Sequence, residues 1–85
     1  PFGWLVERGL LEPGTVLSDT RNRHTAKVRA DGSIISSQHR GSIHRVGALV
    51  QDTPACNGWT FWHLNVGGKK IPIDILRQKL RAEIH

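Results

Sequence analysis

Apolar residues change period several times along the chain, and each change marks an expected element. Phe2, Leu5, Val6 and Leu10 recur at three-to-four spacing, which predicts a short helix over residues 2–11 with Gly9 just past its end. Pro13-Gly14 then turns the chain into a short strand, Thr15 to Ser18. Asp19 to Arg23 is polar and turn-like. From His24 to Ala30 the pattern alternates: Ala26, Val28 and Ala30 face one way, Thr25, Lys27 and Arg29 the other. A period of two is the signature of a half-buried strand. Asp31-Gly32 predicts a type I′ hairpin turn, whose central residues both need positive φ. Ser33 to Ser37 is the returning strand, with Ile34 or Ile35 inward.

A second helix is predicted over Ile43–Val50, capped by Ser42, with Ile43, Val46, Leu49 and Val50 inward. Gly47 and Ala48 are small enough for a neighbour to pack closely. Asp52-Thr53-Pro54 ends that helix and Asn57-Gly58 makes a turn. Trp59 to Val66 reads as a strand. Gly67-Gly68 is a further turn, extended by Lys69-Lys70. Pro72 suits the first turn of a last helix, with Ile73, Leu76, Leu80 and Ile84 on one face and Asp74, Arg77, Gln78 and Arg81 on the other. The expected architecture is α+β: a small, mostly antiparallel sheet with about three short helices packed on it. With 85 residues, the chain is one domain, 1–85. Its first residue is not Met, so it is expected to be a piece of a longer protein.

Charge narrows the function. Twelve Lys+Arg against seven Asp+Glu give a net charge of +5. The excess is clustered: Arg21, Arg23, Lys27, Arg29, Arg40 and Arg45 are opposed only by Asp31. Such a field concentrates near polyanions, nucleic acid first among them. The chain holds one cysteine, Cys56, which cannot form an internal bridge, and it reads as cytosolic. No run has the length of a membrane span, so no membrane role is expected.

Catalytic and metal chemistries find no support. The five histidines and Cys56 miss the usual zinc spacings. No Ser-His-acid set, carboxylate pair or phosphate loop is present. His44 and His63 are expected to hydrogen-bond within the fold or to a ligand. Three tryptophans remain. Trp4 and Phe61 are assigned to the core. Trp59 and Trp62 would face opposite ways in a strand, leaving one partly exposed and able to stack on a base, an interaction worth roughly 1–3 kcal/mol. Asn57 can bridge two edge atoms of an adenine or satisfy its own turn. Ser42 can donate to a phosphate, cap its helix, or do both.

Read in order, Leu5-Val6-Glu7-Arg8-Gly9-Leu10-Leu11, Ala26-x-Val28-x-Ala30-Asp31-Gly32, Gly41-Ser42-Ile43-His44, Asn57-Gly58-Trp59-x-x-Trp62 and Ile73-Asp74-x-Leu76-Arg77 resemble the restriction-enzyme-adenine-methylase-associated domain. The chain is similar, more closely, to the C-terminal domain of the cell-cycle-regulated adenine DNA methyltransferases of alphaproteobacteria. Those enzymes methylate adenine N6 in GANTC with S-adenosylmethionine. Their Asp-Pro-Pro-Tyr and cofactor motifs lie in an N-terminal domain, and neither occurs here. The resemblance therefore implies a DNA-binding accessory domain with no catalytic residue, metal or cofactor of its own. It implies as partners double-stranded DNA and the N-terminal methyltransferase domain of the same polypeptide. The parent is expected in the bacterial cytoplasm at the nucleoid, with a homodimer as one form. Ser42, Asn57 and Trp59 would touch bases or distorted backbone, and Arg77 would anchor a strand with Arg45 assisting. Arg40, His44 and Lys69 complete the expected contacts. A stand-alone DNA or modified-DNA reader, or a protein-interaction domain, is the alternative.

Overall fold

The structure, a computed structural model, describes residues 1–84. The elements are α1 (Phe2–Glu7), β1 (Val16–Ser18), β2 (Thr25–Val28), β3 (Ile34–Ser36), β4 (His39–Gly41), α2 (Ile43–Gln51), α3 (Gly58–Phe61), β5 (His63–Val66), β6 (Lys69–Pro72) and α4 (Asp74–Ile84). One antiparallel six-stranded sheet runs in the order β4-β3-β2-β1-β5-β6. The α+β expectation holds, with one more helix and two more strands than the sequence pattern showed.

Local chemistry explains most element ends. Helix α1 stops early, at Glu7, in a Schellman closure. Gly9 takes φ 74°, its N–H donates to the Val6 carbonyl at 3.1 Å, and the Leu10 N–H donates to Leu5 at 2.9 Å. Ser42 caps α2 as expected, accepting from the Arg45 N–H at 3.1 Å. The type I′ geometry appears at a different place from the one expected. Gly67 and Gly68 both have positive φ, 58° and 83°, and join β5 to β6 as a two-residue turn. At Asp31-Gly32 only Gly32 has positive φ, 84°. There the Gly32 N–H donates to Arg29 at 3.1 Å, and the Asp31 carboxylate accepts from the Ser33 N–H at 2.9 Å and the Ser33 hydroxyl at 2.6 Å. The carboxylate stabilises a wider turn than the dipeptide alone implies.

The core lies between one sheet face and the helices. Trp62, Leu5, Leu17, Ile34, Ile43, Ile73 and Val46 are its largest fully buried side chains. Alternation is as expected within β2, with Ala26 and Val28 buried and Thr25 and Lys27 exposed, but the strand ends at Val28, and Ala30, expected on the buried face, is exposed in the turn that follows. Of the two candidates in β3, Ile34 is the inward one and Ile35 is half-buried.

Four expectations are corrected. Trp59–Val66 is not one strand: residues 58–61 form α3, and β5 begins at His63. Asn57 starts that helical turn by accepting from the Trp59 N–H at 3.1 Å, and this cap outweighs the β preference of the aromatic run. Lys69–Pro72 is strand β6 rather than a turn and a helix start. Pro72 is tolerated there because β6 is an edge strand, where its missing N–H costs no ladder bond. Trp4 is 45% exposed instead of in the core, with the Arg8 guanidinium 5.9 Å from its ring, and Phe61 is half-buried against Trp62. Leu49 is exposed at the surface of α2, while Gly47 is buried. The expectations for the Ile84 side chain and for His85 lie outside the described residues.

Candidate nucleic-acid interface

The Gly41–Arg45 and Asn57–His63 blocks meet in space, and most of their chemistry is turned on each other. The His44 ring accepts the Gly58 N–H at Nδ1, 2.9 Å away, which places the ring proton on Nε2. That N–H belongs to the first turn of α3, where no helical partner exists, so His44 supplies the missing acceptor. In return the buried Trp62 Nε1–H donates to the Ile43 carbonyl at 3.0 Å. Gly58 sits directly on the start of α2. A Cβ there would fall 2.5 Å from the Ile43 carbonyl carbon and 2.6 Å from its oxygen.

A second close approach lies one turn along. A Cβ on Gly47 would meet the Cys56 Sγ at 2.6 Å and the Trp62 Nε1 at 3.4 Å. Gln51 donates to that sulfur at 3.3 Å and to the Gly47 carbonyl at 2.9 Å. Burial pushes the Cys56 thiol above its ordinary value, against the opposing effect of the Gln51 hydrogen bond. Cys56 is thus a small filler between α2 and α3, in an environment that keeps it protonated.

Trp59 and Trp62 are both buried, at 7% and 0% exposure, so the expectation that one of them is exposed does not hold. On a helical turn they need not face opposite ways. Trp59 packs on Phe2, with ring centroids 6.1 Å apart, and the Arg77 guanidinium lies 4.6 Å from its ring centroid. Arg77 also pairs with Asp74, one helical turn earlier on α4, and Asp74 accepts from Gln78 at 2.9 Å. The Asp74–Arg77 contact is one of charge more than of hydrogen bonding: Asp74 Oδ1 and Arg77 Nε are both buried without a hydrogen-bond partner. Arg77 closes the Trp59 side of the core, and its cation is already engaged there.

The remaining expected residues stay at the surface. Ser42 and Arg45 are exposed at the N-terminus of α2. Arg40 is exposed on β4, opposite Ile35. Asn57 is exposed, with its carboxamide oxygen engaged in the α3 cap. The structure therefore brings Arg40, Ser42, Arg45 and Asn57 to one end of the molecule, around the start of α2. Lys69 is exposed at the far end of the sheet, on β6 and opposite Val66 of β5. β4 and β6 are the two sheet edges, five strand spacings or about 24 Å apart, so Lys69 does not join the Arg40 cluster.

Sequence reasoning missed the residues that act through others. Lys70, expected in a turn, donates its ammonium protons to Ser18 at 2.7 Å and to Asn22 at 2.6 Å, tying β6 to β1 and the β1–β2 loop. No sequence signal marks a contact between residues so far apart in the chain. Among the described residues no three His, Cys, Asp or Glu side chains converge to hold a metal ion. Among the described residues no helix is long and apolar enough to cross a membrane.

The sequence is similar to the type II methyltransferase M.HinfI of Haemophilus influenzae, 29% identical over 77 residues. That match takes in 91% of this chain and 21% of the relative, so the chain spans about a fifth of the enzyme's length. The family described as Restriction Enzyme Adenine Methylase Associated matches residues 1–85, the whole chain. Matched from end to end, this chain belongs to the restriction enzyme adenine methylase associated family.

Proposed function

We propose that this protein is the DNA-holding, non-catalytic part of an adenine-N6 DNA methyltransferase acting at GANTC. The observation that carries the reading is the end of the molecule around α2. Arg40, Ser42 and Arg45 are exposed there beside the capped helix start, and neither arginine has a carboxylate partner among the described residues. A guanidinium pair beside a helix N-terminus suits the phosphates of duplex DNA. The neighbouring Asn57 carboxamide nitrogen and His44 Nε2–H are donors for a base edge or a distorted backbone. The relative's identity as a methyltransferase supports the link to methyl transfer. S-adenosylmethionine and the reacting groups belong to a catalytic domain of the same polypeptide, and the target adenine leaves the stack to reach them. The present chain clamps the duplex beside that event.

Arg40→Ala/Arg45→Ala tests this. Duplex DNA binding, followed by fluorescence anisotropy, should lose about two phosphate contacts, flattening the slope of log K against log salt by about 1.8. A slope unchanged by the double substitution removes the α2 clamp. Equal affinity for GANTC and scrambled duplexes removes the sequence-reading part alone. A protein-interaction surface is a second reading, favoured by the 45% exposed Trp4.

A further inference from the structure

A second basic surface lies away from the start of α2. Between the Asp19–His24 turn and the C-terminal end of α2 is an open hollow of about 430 Å³, whose lining includes Arg21, Arg23, His24, Gln51, Thr60 and His63. A second hollow of about 400 Å³ shares Arg23 and His24 with it and continues to His39 on β4. The two meet at Arg23 and His24, so together they form an elongated trough. Its walls carry guanidinium, imidazole, hydroxyl and carboxamide groups together with the apolar side chains of Phe61, Leu49 and Val50.

The arginine-bearing turn is held rigidly. The Asp19 carboxylate accepts from the Arg21 N–H at 3.2 Å and the Arg23 N–H at 2.8 Å. Asn22 sits between them at φ 56° and is gripped by Lys70 at 2.6 Å. Asp19 lines the trough as well, yet its charge is turned to backbone N–H groups and forms no ion pair with either guanidinium. The Arg21 and Arg23 side chains are exposed and make no ion pair among the described residues. His63 is 8% exposed and uses Nδ1–H to donate to the Phe61 carbonyl at 2.9 Å, which leaves Nε2 a lone-pair acceptor. A bare anion has no proton to offer such an acceptor, whereas a nucleotide has amino groups on its base.

We infer that this trough is a second binding site for a nucleic-acid strand, with successive phosphates on Arg21 and Arg23 and a base edge toward His63. The inference rests on the DNA-holding reading above and adds a contact surface to it. Length favours a strand over a single anion. The turn is built as a fixed mount for two cations, which costs less ordering on binding than two flexible arms.

The test is the Arg21→Ala/Arg23→Ala protein in duplex-binding titrations between about 50 and 200 mM salt. Two lost phosphate contacts should flatten the salt slope by about 1.8, at about 0.9 per contact. The melting temperature should not move, because both side chains are exposed. Arg21→Lys/Arg23→Lys should restore the slope, and Lys79→Ala on α4 should leave it as in the unsubstituted protein. An unsubstituted protein that binds DNA, with a slope the alanine pair does not change, overturns the trough and leaves the α2 reading standing. A protein that binds no duplex at low salt overturns both. Capture of polyglutamate but not DNA, dependent on Arg21 and Arg23, overturns the nucleic-acid assignment of the trough.

Discussion

Trp59→Ala separates a base-stacking indole from a core anchor. The indole is 7% exposed, packs on Phe2 and lies under Arg77. Truncating a buried tryptophan costs about 3–5 kcal/mol, the lost transfer energy plus the cavity. The Phe2 and Arg77 ring contacts are part of that figure, not additions to it. A domain of this size holds about 4–13 kcal/mol in total. The substitution therefore removes between a quarter and all of the stability. At about 4–8 °C per kcal/mol, the melting temperature should fall by at least 12 °C. Urea unfolding followed by circular dichroism measures this without relying on the altered fluorophore. Trp59→Phe keeps most of the buried ring and should lose about half as much or less. The reasoning fails if Trp59→Ala melts within about 4 °C of the unsubstituted protein while its DNA affinity collapses. That pair of results would mean the indole leaves the core to meet a base.

Two further outcomes follow from the α2–α3 contact. Gly58→Ala should cost about 3 kcal/mol, the upper end of overpacking, because the new methyl meets backbone atoms of Ile43 that cannot rotate away; the urea midpoint reads it. Gly67→Ala, at a turn with open space and φ 58°, should lose less, and equal losses would remove the steric argument. For Cys56, alkylation by iodoacetamide should show a higher pH midpoint in the folded protein than in the urea-unfolded chain, since desolvation favours the neutral thiol. A lower midpoint in the folded protein would show a reactive thiolate instead of a filler.

Much of the fold was legible because its signals are local. Ser42 as a cap, Gly9 past the end of α1 and the alternation in β2 each depend on a few neighbouring residues. The candidate site was legible in part: Arg40, Ser42, Arg45 and Asn57 do gather at one end of the molecule. Trp59 and Arg77 were read as contacts and turn out to cover each other. Nothing within five residues of either one reports that pairing.

Local sequence decided where this chain could turn, cap and alternate, since backbone φ, hydrogen-bonding side chains and period act over one or two turns. Tertiary structure decided which way the aromatic block folds. The His44–Gly58 and Trp62–Ile43 hydrogen bonds link residues 14 and 19 positions apart. They form only when α2 is already beside α3, and then a helical turn satisfies groups that an extended strand would leave buried and unpaired. The burial of both tryptophans was settled at that step.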